Sequence, residues 1–392
     1  MDLIVLKILG DKYYSNIKLQ LTYQYFERAV IMHEIPLTMH AMVLTGHGGL
    51  DKYEWFETWK TPKPREDEVL IKVSACGLNN TDVNTRTGWY SKNVNAPTMD
   101  TELGLNIADD PAWGGTPISF PRIQGADVCG YIVEVGQNVS KSRIGQRVIT
   151  DNWVRDENDP ENIEKVGYLG SERDGGFAQF AAISSKNALE IISNLSDEEL
   201  ATFSCSYTTA EGMLTRANVM DTDTVLVPGA SGGVGSALVQ LAKRRGARVI
   251  AMTTPEKFPL VEDLGADIII SRVSSSWVDE IKSEKISVVA DVVGGSLWKE
   301  LIEILECGGR YTCSGAIAGP IVEFDLRTFY LRDLTFTGST VTEPAIAKNI
   351  VRYIEDREIK PCLAEVFPLS ELKIAQKNFM EKKYVGNIVV VP

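Results

Sequence analysis

Histidine is scarce in this sequence and none follows His47; the other two, His33 and His40, also stand near its start. Zinc sites take three or four N, S or O ligands, so a metal centre built on histidine is excluded from nearly all of the chain. No C-x-x-C pair occurs among the six cysteines, Cys76, Cys129, Cys205, Cys307, Cys313 and Cys362. In a chain of this size they read as reduced core residues, not as a disulfide framework, and point to a cytoplasmic setting. No basic block interrupts a formal charge of −13, which argues against nucleic acid and membrane surfaces as main partners and leaves small molecules. The apolar run at the start, MDLIVLKILG, is too short to span a bilayer. It has no basic residue before it and no small-residue cleavage site after it, so it does not read as a signal peptide.

What is present is an ordinary globular composition, 44% apolar and 24% charged, in 392 residues that allow about two domains. The most informative stretch is 224 to 257, TVLVPGASGGVGSALVQLAKRRGARVIAMTTPEK. Thr224 to Val227 is too short for a helix and rich in β-branched residues, which suits a strand buried on both faces. Gly229, Gly232, Gly233 and Gly235 follow at once. Side chains there would obstruct a pyrophosphate approaching the backbone, while the amides of the next helix attract its charge, so Ser231, Gly232, Gly233, Val234 and Gly235 read as a cofactor loop. From Ser236 to Arg245 the apolar residues fall at helical spacing, basic residues crowd the last turn and Gly246 stops the helix. Arg248 to Met252 returns as a parallel strand.

An NAD site carries Asp or Glu about 20 residues beyond the glycines to hold the ribose hydroxyls. Thr253 and Thr254 occupy that place here. With no carboxylate there to repel a 2′-phosphate, and with Thr253, Thr254 and Lys257 able to donate to one, the expected cofactor is NADP(H). Glu256, close by, argues mildly against NADP(H), and the alternative is that Thr253 and Thr254 merely end a strand and selectivity is loose.

Residues 39 to 187 read as short strands, such as Glu68 to Ser74, Gly130 to Val135 and Gln146 to Thr150, parted by Gly, Pro and Asn turns. Strands and helices alternate after Asp197, with Ile268 to Ile270, Val288 to Val292 and Gly309 to Cys313 continuing a doubly wound sheet. A helix from Ala345 to Asp356 leads to a final strand near Gly386 to Val391 that returns to the β body. Residues 1 to 38 differ from the rest and read as a poorly ordered extension. The expected domains are thus 39–187, 188–343 and the return 344–392.

The ordered landmarks VSACGLNNTDVNTRTGWY (73 to 90), QGADVCGYIVEVG (124 to 136), GQRV (145 to 148), DGGFAQFAAI (174 to 183), TTAEGML (208 to 214), GASGGVG (229 to 235), ADVVGG (290 to 295), GGRYTCSGAIAG (308 to 319) and VGNIVVV (385 to 391) cover nearly everything from Met39 to Pro392. In that order and spacing the chain resembles the medium-chain dehydrogenase/reductase superfamily, and is most similar to its zinc-free quinone oxidoreductase branch. The resemblance implies a fold of α/β class: a doubly wound parallel sheet, or Rossmann, domain beside a mostly β, chaperonin-10-like (GroES-like) catalytic domain. It also implies a homodimer or homotetramer.

Zinc members of that family carry a cysteine two residues after the glycine matched by Gly77, and a histidine after the glycine matched by Gly125. Asn79 and Ala126 stand there instead, so no metal is expected. Without one, developing negative charge on a substrate oxygen has to be held by hydrogen-bond donors. By resemblance Asn79 and Tyr90 are the catalytic candidates, Thr209 meets the nicotinamide side of the cofactor, and Gly315 joins the cofactor-binding set. Asp82 and Asp127 also match family positions, and their plainer role is to organise turns. The implied reaction is hydride transfer from NADPH to an enone or quinone, since a conjugated acceptor spreads charge that a plain alcohol cannot. A metal-dependent alcohol dehydrogenase and a non-catalytic NADPH-binding protein are the alternatives. Two departures stand out. Residues 91 to 121 form a long insertion whose Trp113 and Phe120, with Trp89, are expected to wall the substrate pocket; and Asn387 replaces a lysine often found near the cofactor.

Overall fold

The computed structural model describes residues 35–98 and 118–392. In the first body the strand Glu68–Gly77 is the spine, pairing with Asp127–Val135, Phe180–Ser184 and Asn387–Val391. Its expected end at Ser74 is too early, because Ala75, Cys76 and Gly77 keep pairing with Cys129, Val128 and Asp127. The extra residues carry the chain to the edge of the body, where Asn79 becomes the N-cap of the helix Asn80–Thr87. Gly88, at φ 70°, stops that helix in the left-handed conformation that glycine adopts at little cost.

The second body is a six-stranded parallel sheet in the order Ile268–Ser271, Arg248–Thr253, Thr224–Pro228, Ile286–Asp291, Leu305–Cys313, Thr335–Gly338. The chain runs outward from the central strand in one direction, then returns and runs outward in the other. That reversal opens a crevice beyond the strand ends, where ligands of such sheets bind. Val225, Leu226 and Val227 are wholly buried, as a strand covered on both faces requires.

The helix after the glycines is Gly233–Arg244, beginning ahead of the expected Ser236. Gly232 is already the extended N-cap, so Gly233, Val234 and Gly235 form the first turn, whose amides have no partner within the helix. Gly229 and Gly235 also serve the packing of the turn. Gly229 sits at φ 67°, and a Cβ on Gly235 would run into the Gly229 carbonyl oxygen. Close packing of turn on helix, more than access for a pyrophosphate, fixes Gly235; at Gly232 the nearest atom to an added Cβ is 3.6 Å away.

After the helix Pro344–Glu355 the chain re-enters the first body: Leu363–Pro368 lies parallel to Asn387–Val391, which pairs with the spine strand. The two bodies share one apolar core, in which Ala75, Cys129, Ile149 and Val389 join Tyr207, Met213 and Leu238. All six cysteines are unbridged. No helix among the described residues is long and apolar enough to cross a membrane. The Gly235 contact yields one expectation: Gly235→Ala should lower unfolding free energy in urea by about 1–3 kcal/mol, the usual cost of overpacking. An unchanged midpoint would show that the turn can give way.

Candidate active site

Between the bodies lies a cavity of about 340 Å³. Every catalytic and cofactor-binding residue proposed from sequence lines it: Asn79, Tyr90, Thr209, Ser231, Gly232, Gly233, Val234, Gly235, Thr253, Thr254, Lys257 and Gly315. At one end the N-terminus of Gly233–Arg244 faces the segment that precedes the last strand. Gly386 N–H donates to Ser231 O at 2.9 Å, and the Asn387 side chain lies against Gly233. Asn387 is itself engaged, accepting from Ser206 Oγ at 3.1 Å and donating to Thr202 O at 3.2 Å.

At the end of the strand Arg248–Thr253, Glu256 accepts the Thr254 hydroxyl, and with the Lys257 and Arg272 charges near it its carboxyl is held below the usual range. Two cations escaped the sequence reading. Arg272 lines the cavity, its main-chain N–H donating to Thr253 O at 2.9 Å. It follows the strand Ile268–Ser271, so the doubly wound order, which sets that strand beside Arg248–Thr253, was a signal that could have found it. Lys382 also lines the cavity. Nothing in the local pattern marks it.

The opposite end is aromatic. Trp89 and Tyr90 meet edge to face at 5.7 Å, and Trp153 and Tyr168 at 4.7 Å, all four lining the cavity with Thr81, Asn84 and Cys205. Trp153 and Tyr168 come from a small hairpin, Trp153–Val154 with Gly167–Tyr168, that sequence reasoning missed. Of the expected wall, Trp89 is in place, its indole N–H bonded to Ala96 O at 2.9 Å. Phe120 is not: it packs on His47 beside the core of the first body, because Arg122–Ile123 pairs there with the strand Thr38–Leu44. Trp113 lies outside the described residues.

Asp82 and Asp127 sit behind the cavity wall. Asp82 accepts the N–H groups of Asn79 at 2.7 Å and Gly125 at 3.3 Å. Asp127 accepts from Cys205 N–H at 2.8 Å and Asn152 Nδ2 at 3.0 Å. Each therefore fixes loops that carry lining residues. Asn79 lies close enough to Asp127 to help hold its charge, yet its buried Nδ2 has no bonded partner among the described residues. An unpaired buried donor at the wall of a cavity is suited to a ligand oxygen. The Tyr90 phenol, beside Thr81 and Asn84, is kept protonated by burial.

No three His, Cys, Asp or Glu side chains among the described residues are grouped to hold a metal ion. Of these residue types, Cys205 alone lines the cavity among the described residues.

Burial pushes the Asp82 carboxyl up to about 7, the neighbouring Asp127 adding to the effect, and burial alone lifts Asp127 to about 6. The folded value of Asp82 exceeds its unfolded one of about 4. Its contribution to stability is therefore full below that unfolded value and lost as pH rises through about 7. Asp82→Asn removes the titration, so its Tm relative to the native chain should climb between about pH 5 and pH 8. A difference independent of pH would mean that Asp82 is ionised throughout.

Comparison with known proteins agrees with this architecture. The family described as alcohol dehydrogenase GroES-like domain matches residues 65–193, and that described as zinc-binding dehydrogenase matches 233–356. The chain is 30% identical to an acryloyl-coenzyme A reductase of Metallosphaera sedula, over 90% of this chain and 99% of that one. It is 26% identical to an NADPH-dependent alkenal/one oxidoreductase, chloroplastic, of Arabidopsis thaliana, over 91% and 81%. A solved protein of Sinorhizobium meliloti 1021, assigned provisionally as an alcohol dehydrogenase, superposes with a TM-score of 0.84 at 44% identity, over 92% of this chain and 99% of that one. With a Rossmann sheet, a GroES-like β body and a cavity between them, the chain belongs to the medium-chain dehydrogenase/reductase superfamily of oxidoreductases, which use a nicotinamide cofactor.

Proposed function

We propose that the protein is a zinc-independent, NADPH-dependent reductase of conjugated carbonyl compounds, enones and quinones foremost. The observation that carries this is the division of one cavity into a cationic end, with Lys257 and Arg272, and an aromatic end that holds Asn79 and Tyr90. The cationic end suits a 2′-phosphate. Thr253 is buried at the strand end, and neither Lys257 nor Arg272 is paired with a carboxylate among the described residues. The first turn of Gly233–Arg244 suits a diphosphate, its amides having no partner within the helix. Thr209 and Gly315 complete the cofactor-binding set, lining the cavity between the two ends.

Bound NADPH supplies the hydride. Trp89, Tyr90, Trp153 and Tyr168 form flat walls that orient a planar acceptor and exclude water. As negative charge grows on the acceptor oxygen, the Asn79 amide and the Tyr90 hydroxyl hold it by hydrogen bonds, a stabilisation greatest in a site shielded from water. A phenol held protonated by burial can donate such a bond and keep its proton, so the proton that completes reduction comes from solvent. Relatives named for acryloyl-coenzyme A and for alkenals support adding enoyl thioesters to the compounds to be screened.

The oxidation of NADPH and NADH over a panel of quinones, enals, enones and acryloyl-coenzyme A tests the reading. Enones or quinones with NADPH should give the highest kcat/KM. Lys257→Met should lower the NADPH over NADH preference by about tenfold or more, the loss of a charged hydrogen bond, and Tyr90→Phe should lower kcat. Turnover of alcohols alone, or of nothing in the panel, would sink the proposal.

The domain partition at 39–187, 188–343 and 344–392, and a cytoplasmic setting, belong to the same proposal. So does a homodimer or homotetramer. Thr335–Gly338 is an edge strand, and Ile321, Leu326, Tyr330 and Leu331 beside it are all at least 60% exposed. Light scattering should report an assembly that Leu326→Glu with Leu331→Glu disrupts; a native monomer would refute it.

A further inference from the structure

Tyr168 brings more than a ring to the cavity. Trp153 pairs with Tyr168 across the hairpin, and Leu169 N–H donates to Asn152 O at 3.0 Å, so the register sets Asn152 beside the Tyr168 phenol. The Asn152 amide, buried behind the wall, has one possible orientation. Its Nδ2 meets Asp127 Oδ1 at 3.0 Å, and a carboxylate only accepts; its Oδ1 is left to the Thr150 hydroxyl at 3.2 Å. The second Nδ2 hydrogen goes to the Tyr168 oxygen at 3.3 Å. That oxygen therefore accepts from behind the wall, and the phenol must give its own hydrogen elsewhere.

On the cavity side the phenol is bonded to the Cys205 thiol, which lines the same wall. Sulfur is a weak acceptor and a carbonyl oxygen a stronger one, so a ligand can take that hydrogen in exchange. Burial, foremost, keeps the phenol protonated. The Asp127 carboxylate draws on the Asn152 amide, and the amide in turn on the phenol, each bond strengthening the next. Asn79, whose buried Nδ2 has no bonded partner among the described residues, lies close to the same carboxylate. An amide and a phenol thus gather around one buried anion that orients them and has no hydrogen of its own to give.

We infer that Tyr168 is a further catalytic residue, its hydroxyl joining Asn79 and Tyr90 in donating to the acceptor oxygen, and that Asn152 is the positioning residue that fixes the direction of that bond. The inference rests on the proposed reduction of a conjugated carbonyl in this cavity. Hydride leaves NADPH for the acceptor carbon, oxidising the cofactor, and the displaced π pair moves through the conjugated system onto oxygen. Tyr168 holds that oxygen and keeps its proton, solvent supplying the one that completes reduction. A phenol that only braced Trp153 within the hairpin would be indifferent to what the cavity holds.

Two measurements on the full chain decide between these roles. With NADP+ bound no hydride can pass, and dimethylaminocinnamaldehyde, a conjugated aldehyde whose absorption moves to the red as its carbonyl oxygen accepts hydrogen bonds, serves as the probe. The native chain should shift it, and Tyr168→Phe should bind it and lose most of the shift. In turnover of an enone, Tyr168→Phe should lower kcat roughly tenfold or more, with a smaller change in KM and NADPH affinity kept. Asn152→Leu should cost far less in the Tyr168→Phe background than in the native one, because the two residues act through one bond. Losses that simply add would overturn the inference. So would a probe that the native chain does not bind or shift, or an equal shift in Tyr168→Phe. A native chain that shifts the probe yet reduces nothing in the panel would sink the proposed function and leave the Tyr168 hydrogen bond standing.

Discussion

The main-chain bond from Gly386 N–H to Ser231 O joins the last strand of the β body to the glycine loop of the Rossmann sheet, and the geometry across the cleft depends on it. Gly386 stands at φ 90°, and a Cβ there would collide with the Cys362 carbonyl oxygen, so only glycine brings the two backbones this close. The strand that follows pairs with Glu68–Gly77, whose far end delivers Asn79. The glycine loop and Asn79, at opposite ends of the cavity, are therefore tied through one ladder of backbone hydrogen bonds. Side chains decorate that frame without setting its spacing.

Much of the site was legible because it lies on segments whose pattern is local. Apolar β-branched residues, a glycine turn and a helix of 3.6 period announce a strand, a phosphate loop and a helix from a short window, and Thr253 and Lys257 follow within the same window. Tyr90 and Asn79 depended on the family resemblance, since one tyrosine and one asparagine carry no period of their own.

What was not legible depends on pairing between distant parts of the chain. Arg272 reaches the cavity beside Thr253 because Ile268–Ser271 lies beside Arg248–Thr253, a matter of strand order. Trp153 and Tyr168 meet because two very short strands pair across an irregular loop, too short to show alternation. Phe120 was assigned to the pocket by nearness in sequence to Tyr90, and a pairing of Arg122–Ile123 with the first strand draws it elsewhere. The start of the helix at Gly233 was misjudged for a related reason: glycines are poor helix formers, yet at a first turn packed on a strand their small size is the property that counts.

The apolar core that runs through both bodies bears on how such a protein can change over time or be rebuilt. Ala75, Cys129, Ile149 and Val389 of the β body pack with Tyr207, Met213 and Leu238 of the nucleotide-binding body. The seam between the halves is thus a packed surface and not a linker. A chimera that took its nucleotide half from a relative would have to import the matching face of the β body as well, or accept voids where the two no longer interlock.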